Sequence, residues 1–582
     1  MNRLDVPQIE GPTIGQALFG GNFLADRYPL NGGSGIEDQI ARLGVDGLRY
    51  PGGSLTERLF DIRNPDAARV TDDDGDARDF VPLSDFLAYA DANDHAVTIV
   101  IPTRDNLSNR TDGAGDRFPA FDEGDLRDFV RDVATGIYGD ADIAAFEIGN
   151  EYWGSGQMTA VEYGRLSSRM ADIIDDELTA VSMETGTAVE IDVIVQAGTN
   201  NAYSNLSDDY AGQPVDDVIA ALNDRFDMAF DIEDRGIVFY GGNINWRGVN
   251  DALVLHEYSE DERGAVDGVV THFYSKESVS PGQRDFGLTQ VQRAWGEEFP
   301  DIDIHVTEWN QSASDQRLKD DEDYGLVQAH EVLDAFESMV AAGVDQAHVW
   351  PLIQNTRNAL APDAADGGLS PTGELFAMMS DALPGKTMLD FAPDDPRTTE
   401  EQGAASDLHG FYGGGEMVFY IASNADDVRT VSYDLADMVS DGGTAAGRVL
   451  GVTNASDRAS VDARPTIENL PEEAFYDAGR IVATLDAGEI MEVRITDFVP
   501  TDAFATVMNR IDTKDTAAPT PPAAPPPIEA EEVEDFPIPT VPAENLPDEE
   551  PEDVEADDTD DIFDSLGWLL LLLPVLALGG LG

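Results

Sequence analysis

The sequence predicts a (β/α)8 TIM barrel followed by an antiparallel β-sandwich and a disordered acidic tail. Three observations carry this: eight apolar, β-branched runs within residues 14–350, helical patterns in most gaps between them, and a change of pattern from about residue 384. The eight runs read as buried parallel strands. They are IGQALFGGNF at 14–23, DGLRY at 46–50, VTIVI at 97–101, AAFEI at 144–148, EIDVIVQ at 190–196, GVVTH at 268–272, DIHVT at 303–307 and QAHVW at 346–350. IEDQIARLG, SDFLAYADAND, residues 124–136, YGRLSSRMADIIDDEL, LTQVQRAWGEEF and YGLVQAHEVLDAFESMVAAG supply helices between them, and SPTGELFAMMSDAL follows the last. An open doubly wound sheet would need a Gly-rich phosphate loop after an early strand; Gly52-Gly53 does not match it.

Residues 1–383 are thus expected to form the barrel, with 197–267 an expected insertion on the face where barrel loops tolerate length. MVFYIASN, VRTVSYDL, GRVLGVTN, RIVATL and IMEVRITDF are short runs divided by Gly, Asn and Asp, so 384–514 is expected to be a β-sandwich. Residues 1–13 are expected to add a strand to it. Residues 515–564 are rich in Pro and acid and read as a disordered linker. Residues 565–582 form an apolar C-terminal segment that is short for a membrane span and contains Pro574.

The net charge of −79 belongs mostly to residues before that tail. Such a surface excludes nucleic acid as a partner and fits a solubility role. The absence of cysteine removes disulfides, thiolate catalysis, Fe–S clusters and Cys-type zinc sites. Seven histidines, none at zinc spacing, give no expectation of a metal, and no cofactor is implied. No apolar run stands behind the basic residue of MNRLDVPQIE, so an N-terminal signal is not expected. The apolar C-terminal segment instead suggests contact with a membrane or export machinery, and an extracellular or cell-surface location; the alternative is the cytoplasm.

Barrel enzymes place chemistry at the C-terminal ends of strands. Gly149-Asn150-Glu151-Tyr152-Trp153 follows strand 4, and Glu308-Trp309-Asn310 follows strand 7. Strand 2 ends in Arg49-Tyr50-Pro51-Gly52-Gly53, strand 6 in His272-Phe273-Tyr274, strand 8 in Trp350. Two carboxylates facing each other over a barrel mouth can act as nucleophile and acid/base on a glycosidic bond. A lone Asn-Glu pair is usually a surface turn; its position after AAFEI and the partner Glu308 set this one apart.

On LRYPGG, GNE, TEWN, HFY and the strand-8 Trp, residues 14–500 resemble clan A retaining glycoside hydrolases, especially the α-L-arabinofuranosidase, β-xylosidase and heparanase-like β-glucuronidase families. The resemblance implies a carbohydrate substrate, Glu151 as acid/base and Glu308 as nucleophile. It implies that Asn150 bonds the sugar 2-hydroxyl, that Tyr274 and His272 hydrogen-bond around Glu308, that Arg49 steadies it, and that Trp350 forms a platform. Trp153 and Trp309 are candidates to line sugar subsites, with simple packing as the equal alternative. Arg104, Gln354, Asn355 and Arg357 lie past strands 3 and 8, where hydroxyl or carboxylate contacts are conceivable. The long insertion before strand 6 departs from compact members. The rival reading is a non-catalytic carbohydrate-binding or matrix protein on the same barrel.

Overall fold

The computed structural model describes residues 2–514 apart from 31–34, 277–280, 300, 363–367, 394–397 and 404. The Pro- and acid-rich linker 515–564 and the apolar segment 565–582 lie outside the described residues. Among the described residues no helix is long and apolar enough to cross a membrane.

Eight parallel strands close into a barrel: β1 Gly20–Asn22, β2 Gly47–Tyr50, β3 Ala96–Ile101, β4 Ile143–Ile148, β5 Asp192–Gln196, β6 Gly268–Ser275, β7 Asp303–Gln311 and β8 Gln346–Val349. Neighbours in sequence are neighbours in space, and β8 closes on β1 through His348 beside Gly20. Each strand is followed by a helix: α1 Ile36–Leu43, α2 Leu83–Ala92, α3 Glu123–Ala134, α4 Ala160–Thr185, α5 Trp246–His256, α6 Pro281–Gly296, α7 Leu326–Ala341 and α8 Pro371–Ala382. Several of these helices start where the chain supplies a capping side chain. Asp122 accepts from the amides of Gly124 and Asp125, Thr159 and Glu162 form a capping box, and Ser370 precedes Pro371.

Two expectations are corrected. The run 14–23 is not one strand: Gln16–Phe19 turns as a 3-10 helix between Gly15 and Gly20, leaving only Gly20–Asn22 in the barrel. Phe19 then packs on Phe336 and Phe376 in the helical layer. The Trp246 stretch, read as inserted, is α5, the barrel helix between β5 and β6, packed against α4 and α6. Additional structure before it includes the helix Val215–Phe226.

Thr387–Asp390, Ser406–Gly413, Glu416–Ser423, Ile490–Pro500, Val439–Val452 and Pro465–Leu470 build a large antiparallel sheet that Gln8–Thr13 joins at one edge. A second sheet holds Arg429–Asp434, Arg480–Leu485 and Tyr476–Asp477, with Asn2–Arg3 parallel to the first of these. Phe419, Met491 and Val493 from the first sheet and Tyr433, Ile481 and Ala483 from the second share one buried core. The N-terminus therefore contributes to both layers. Asp502–Lys514 is a helix whose Phe504 and Ile511 enter that core, which the strand-rich pattern did not suggest.

Candidate active site

The barrel interior at its C-terminal end is organised around one buried cation. Arg49, on the inward face of β2, has no solvent-exposed side-chain surface. Its Nε and Nη2 donate to the two oxygens of Glu147 on β4 at 2.7 and 2.8 Å. Nη1 donates to Asn22 Oδ1 at 2.9 Å and to Glu308 Oε1 at 3.1 Å. Nη2 also donates to Asn150 Oδ1 at 2.8 Å. One guanidinium thus ties four barrel segments together. Glu147 is completed by Gln196 Nε2 at 3.1 Å and Thr307 Oγ1 at 3.3 Å. A buried carboxylate requires such partners.

Glu308 reaches this cluster through a break in strand alternation. Along the β6–β7 pair, Thr271 opposes Val306 but His272 opposes Glu308, so Thr307 is an extra residue. The bulge turns Thr307 and Glu308 both inward. Thr307 Oγ1 meets Glu147 and His272 Nε2, while Glu308 meets Arg49 and Tyr274. Tyr274 Oη donates to Glu308 Oε2 at 2.8 Å.

Glu151 stands on the turn after β4 with φ of +42°, a left-handed conformation that a Glu rarely adopts and that costs of order 1–3 kcal/mol. Its neighbours are pinned. Asn150 N donates to Glu57 Oε1 at 2.8 Å and Tyr152 N to Gln196 Oε1 at 3.3 Å, while the Glu151 carbonyl accepts from Gly154 N at 2.7 Å. Glu57 also accepts from Thr103 and Arg104 amides at 2.8 and 2.7 Å, joining the turns after β3 and β4. The Glu151 side chain is 27% exposed, against 7% for Glu308. His272 Nδ1 lies 3.3 Å from Glu151 Oε1 and 3.6 Å from Glu308 Oε2. One oxygen of Glu151, one of Glu308 and a His272 nitrogen all fall within 4.8 Å of one another.

Trp153 is nearly buried, edge-on to the His272 ring with centroids 5.9 Å apart. Trp350 is partly buried and spreads over Gly53; a Cβ there would stand 2.6 Å from its Cη2, so the platform needs a glycine beneath it. Trp309 is not brought to the mouth. It is wholly buried among the helices with its ring near Phe376, because the residue after the bulge faces outward. Arg104 and Arg357 pair with loop carboxylates, Asp73 at 2.7 Å and Asp320 at 2.6 Å. Gln354 is half-buried and Asn355 exposed. Asn22, Glu57, Glu147 and Gln196 were not singled out from sequence, nor Thr307 as a site residue; pairing of Asn22 with Arg49 across neighbouring strands was a signal for one of them, and Glu57, in the short helix Leu55–Leu59, had none.

Burial pushes the Glu308 carboxyl above its ordinary range, against the opposing pull of His272 and Arg49. Burial opposes charge on His272, yet Glu308 and Glu151 carry its pKa upward. Burial and then Glu308 hold the Tyr274 hydroxyl in its protonated, donating form. His272 with two carboxylates is a conceivable metal donor set, but Arg49 and Tyr274 already occupy both Glu308 oxygens. The arrangement brings together two carboxyls of unequal exposure, bridged by an imidazole, at the C-terminal end of the barrel.

No protein-family model matches the sequence, and no curated protein matches it. Solved structures share the fold. The α-L-arabinofuranosidase from Thermotoga maritima in its arabinose complex has a TM-score of 0.52 at 14% identity, covering 86% of this chain and 99% of that one. The GH51 α-L-arabinofuranosidase from Thermotoga petrophila RKU-1 gives 0.52 at 15%, covering 85% and 100%. The GH51 arabinofuranosidase from Xanthomonas axonopodis pv. citri gives 0.51 at 14%, covering 85% and 100%. At these identities the likeness is one of fold, the barrel with its sandwich, and the resemblance drawn from the motifs holds at that level.

Proposed function

We propose that this protein is a retaining glycoside hydrolase acting on O-glycosidic bonds of an oligo- or polysaccharide. The observation that carries the reading is the approach of Glu151 and Glu308 oxygens to within 4.8 Å. Retaining enzymes hold their carboxyl groups roughly 5–5.5 Å apart, whereas inverting ones leave room for a water at roughly 6.5–9.5 Å.

In this mechanism Glu308 attacks the anomeric carbon while Glu151 protonates the leaving oxygen. The resulting glycosyl ester on Glu308 removes one negative charge from the pair. Glu151, now the base, takes a proton from water, which displaces Glu308 and restores the acid. The more exposed position of Glu151 gives it access to leaving group and water. Arg49 and Tyr274 orient the nucleophile, and His272 bridges the two carboxyls. Asn150, whose oxygen is engaged by Arg49, has an amide N–H for the sugar 2-hydroxyl beside the one donated to Ser155. Trp350 and Trp153 wall the sugar site.

A panel of aryl α-arabinofuranoside, β-xyloside, β-glucuronide and β-glucoside tests the reading. Turnover of one of these is expected in wild type and lost in Glu308→Ala. Sugar binding without hydrolysis of any glycoside would point to the binding-protein alternative.

A further inference from the structure

The opposite, N-terminal end of the barrel gathers carboxylates that this chemistry does not use. Asp192 opens β5 and Asp303 opens β7, while Asp267 and Asp345 immediately precede β6 and β8. Asp267 accepts from Val193 N at 2.8 Å and Asp345 from Ile304 N at 2.9 Å. Among the described residues, no Lys or Arg pairs with any of the four.

His305 shares the inward face of β7 with Asp303 and is 3% exposed. Its Nδ1 lies 3.0 Å from Gln346 Oε1, and Gln346 Nε2 faces Thr98 Oγ1 at 3.4 Å. That pairing sets the amide with its oxygen toward the imidazole. Nδ1 therefore carries the proton and Nε2 the lone pair. Nε2 has no hydrogen-bond partner among the described residues. It projects toward β6, where a Cβ on Gly268 would stand 2.7 Å away; the glycine keeps this space open. One ligand atom each from Asp192, Asp303 and His305 lies within 4.8 Å of the other two. Three lone-pair donors converge with no hydrogen to share, which is the environment a cation satisfies.

We propose that Asp192, Asp303 and His305 form a divalent-cation site on the barrel floor, with Gln346 positioning the imidazole. One imidazole and two carboxylates suit Zn2+ or a similar transition ion better than Ca2+ or Mg2+, which prefer all-oxygen shells. Asp192 and Asp303 are only half-buried, so water completes the shell from the open side. The ion would tie β5 to β7 beneath the barrel, remote from the sugar site. The comparable group at His409 offers no such atom: His409 Nδ1 is bonded to Glu337 at 3.0 Å, and neither of its ring nitrogens is among the buried atoms left without a hydrogen-bond partner.

The test uses the full chain, stripped with EDTA and dialysed against micromolar Zn2+ with excess Ca2+, with bound metal counted by elemental analysis. Wild type is expected to bind one more Zn2+ per chain than Asp303→Asn or His305→Gln. Gln346→Met should keep the stoichiometry and weaken binding about 10–100-fold, as loss of an outer-shell partner does. Asp192→Asn, at a part-exposed position, guards against a folding failure: Zn2+ should raise the Tm of wild type and leave that of this variant unchanged. Equal Zn2+ uptake by wild type and all ligand variants, or no uptake by wild type, would overturn the proposal.

Discussion

At the C-terminal mouth of the barrel, Glu147 and Glu308 are both bonded to the Arg49 guanidinium and almost wholly withdrawn from water. At the floor, Asp192, Asp267, Asp303 and Asp345 crowd together with no Arg or Lys among the described residues. The pKa directions record the contrast. At the floor, burial first and then neighbouring acids push Asp192 to about 6, and nothing opposes the rise. At the mouth, burial also raises Glu308, but His272 and Arg49 oppose it. The same side-chain chemistry is held against a cation at one end and left as an unneutralised cluster at the other. The difference teaches that the groups around a carboxylate, together with its burial, decide its use.

The largest effects are expected at the mouth. Glu308→Ala should lower kcat by roughly 10⁴-fold or more on every substrate, as removal of a nucleophile does. Glu151→Ala should fail differently. With a dinitrophenyl leaving group that needs no proton, the first step should survive, a burst should appear, and azide should restore turnover as a glycosyl azide. Loss of the burst and of azide rescue would remove Glu151 from the acid/base role.

Next comes the stability of the two ends, where the signs should be opposite. Arg49→Met leaves Glu147 and Glu308 buried without their cation and should destabilise by about 3–5 kcal/mol in urea unfolding. Asp192→Asn in metal-free protein should stabilise, by no more than about 1 kcal/mol because the group is half-exposed and screened. A destabilised Asp192→Asn would show that the floor acids are not in conflict.

The floor also has a pH signature. Asp192 and Asp345 each rise to about 6, with Asp267, Asp303 and neutral His305 around them. An acid whose folded pKa is raised favours the folded state while protonated. That stability is present below about pH 4 and is lost as pH rises through about 6. Metal-free wild type should show this loss in Tm between those values, and Asp192→Asn less of it.

The smallest expected effect lies on the acid limb of kcat/KM. Glu308 must be ionised to attack, and its pKa is raised, so activity should fall with acid at a higher pH than an ordinary carboxylate sets. Removing His272, which pulls that pKa down, should move the limb further up. A pH–rate profile of His272→Gln that is unshifted would exclude the bridge role.

Much of the mouth was legible because strand ends and motif spacing coincide there. GLRY, AAFEI with GNE, and DIHVT with TEWN each place a polar residue where an apolar run stops. For Trp309 the choice between a sugar subsite and packing could not be made from sequence, because the Thr307 bulge reverses the facing of the next residues and nothing in one sequence marks a bulge. Glu147 was passed over as a single polar residue inside an apolar run, although it neutralises the central arginine. Gln16–Phe19 looked like strand because a short apolar segment fits either state. The floor site was invisible to spacing rules, since Asp192 and Asp303 meet only after β5 and β7 are brought together by barrel closure.

The most direct test of the account is the site of covalent attachment during turnover. Glu151→Ala should be mixed with a dinitrophenyl glycoside that wild type cleaves, quenched in acid, digested and analysed by mass spectrometry. The account predicts a glycosyl group on the peptide containing Glu308, and on Glu308 itself. An adduct on another residue, or dinitrophenol release with no adduct, would contradict it.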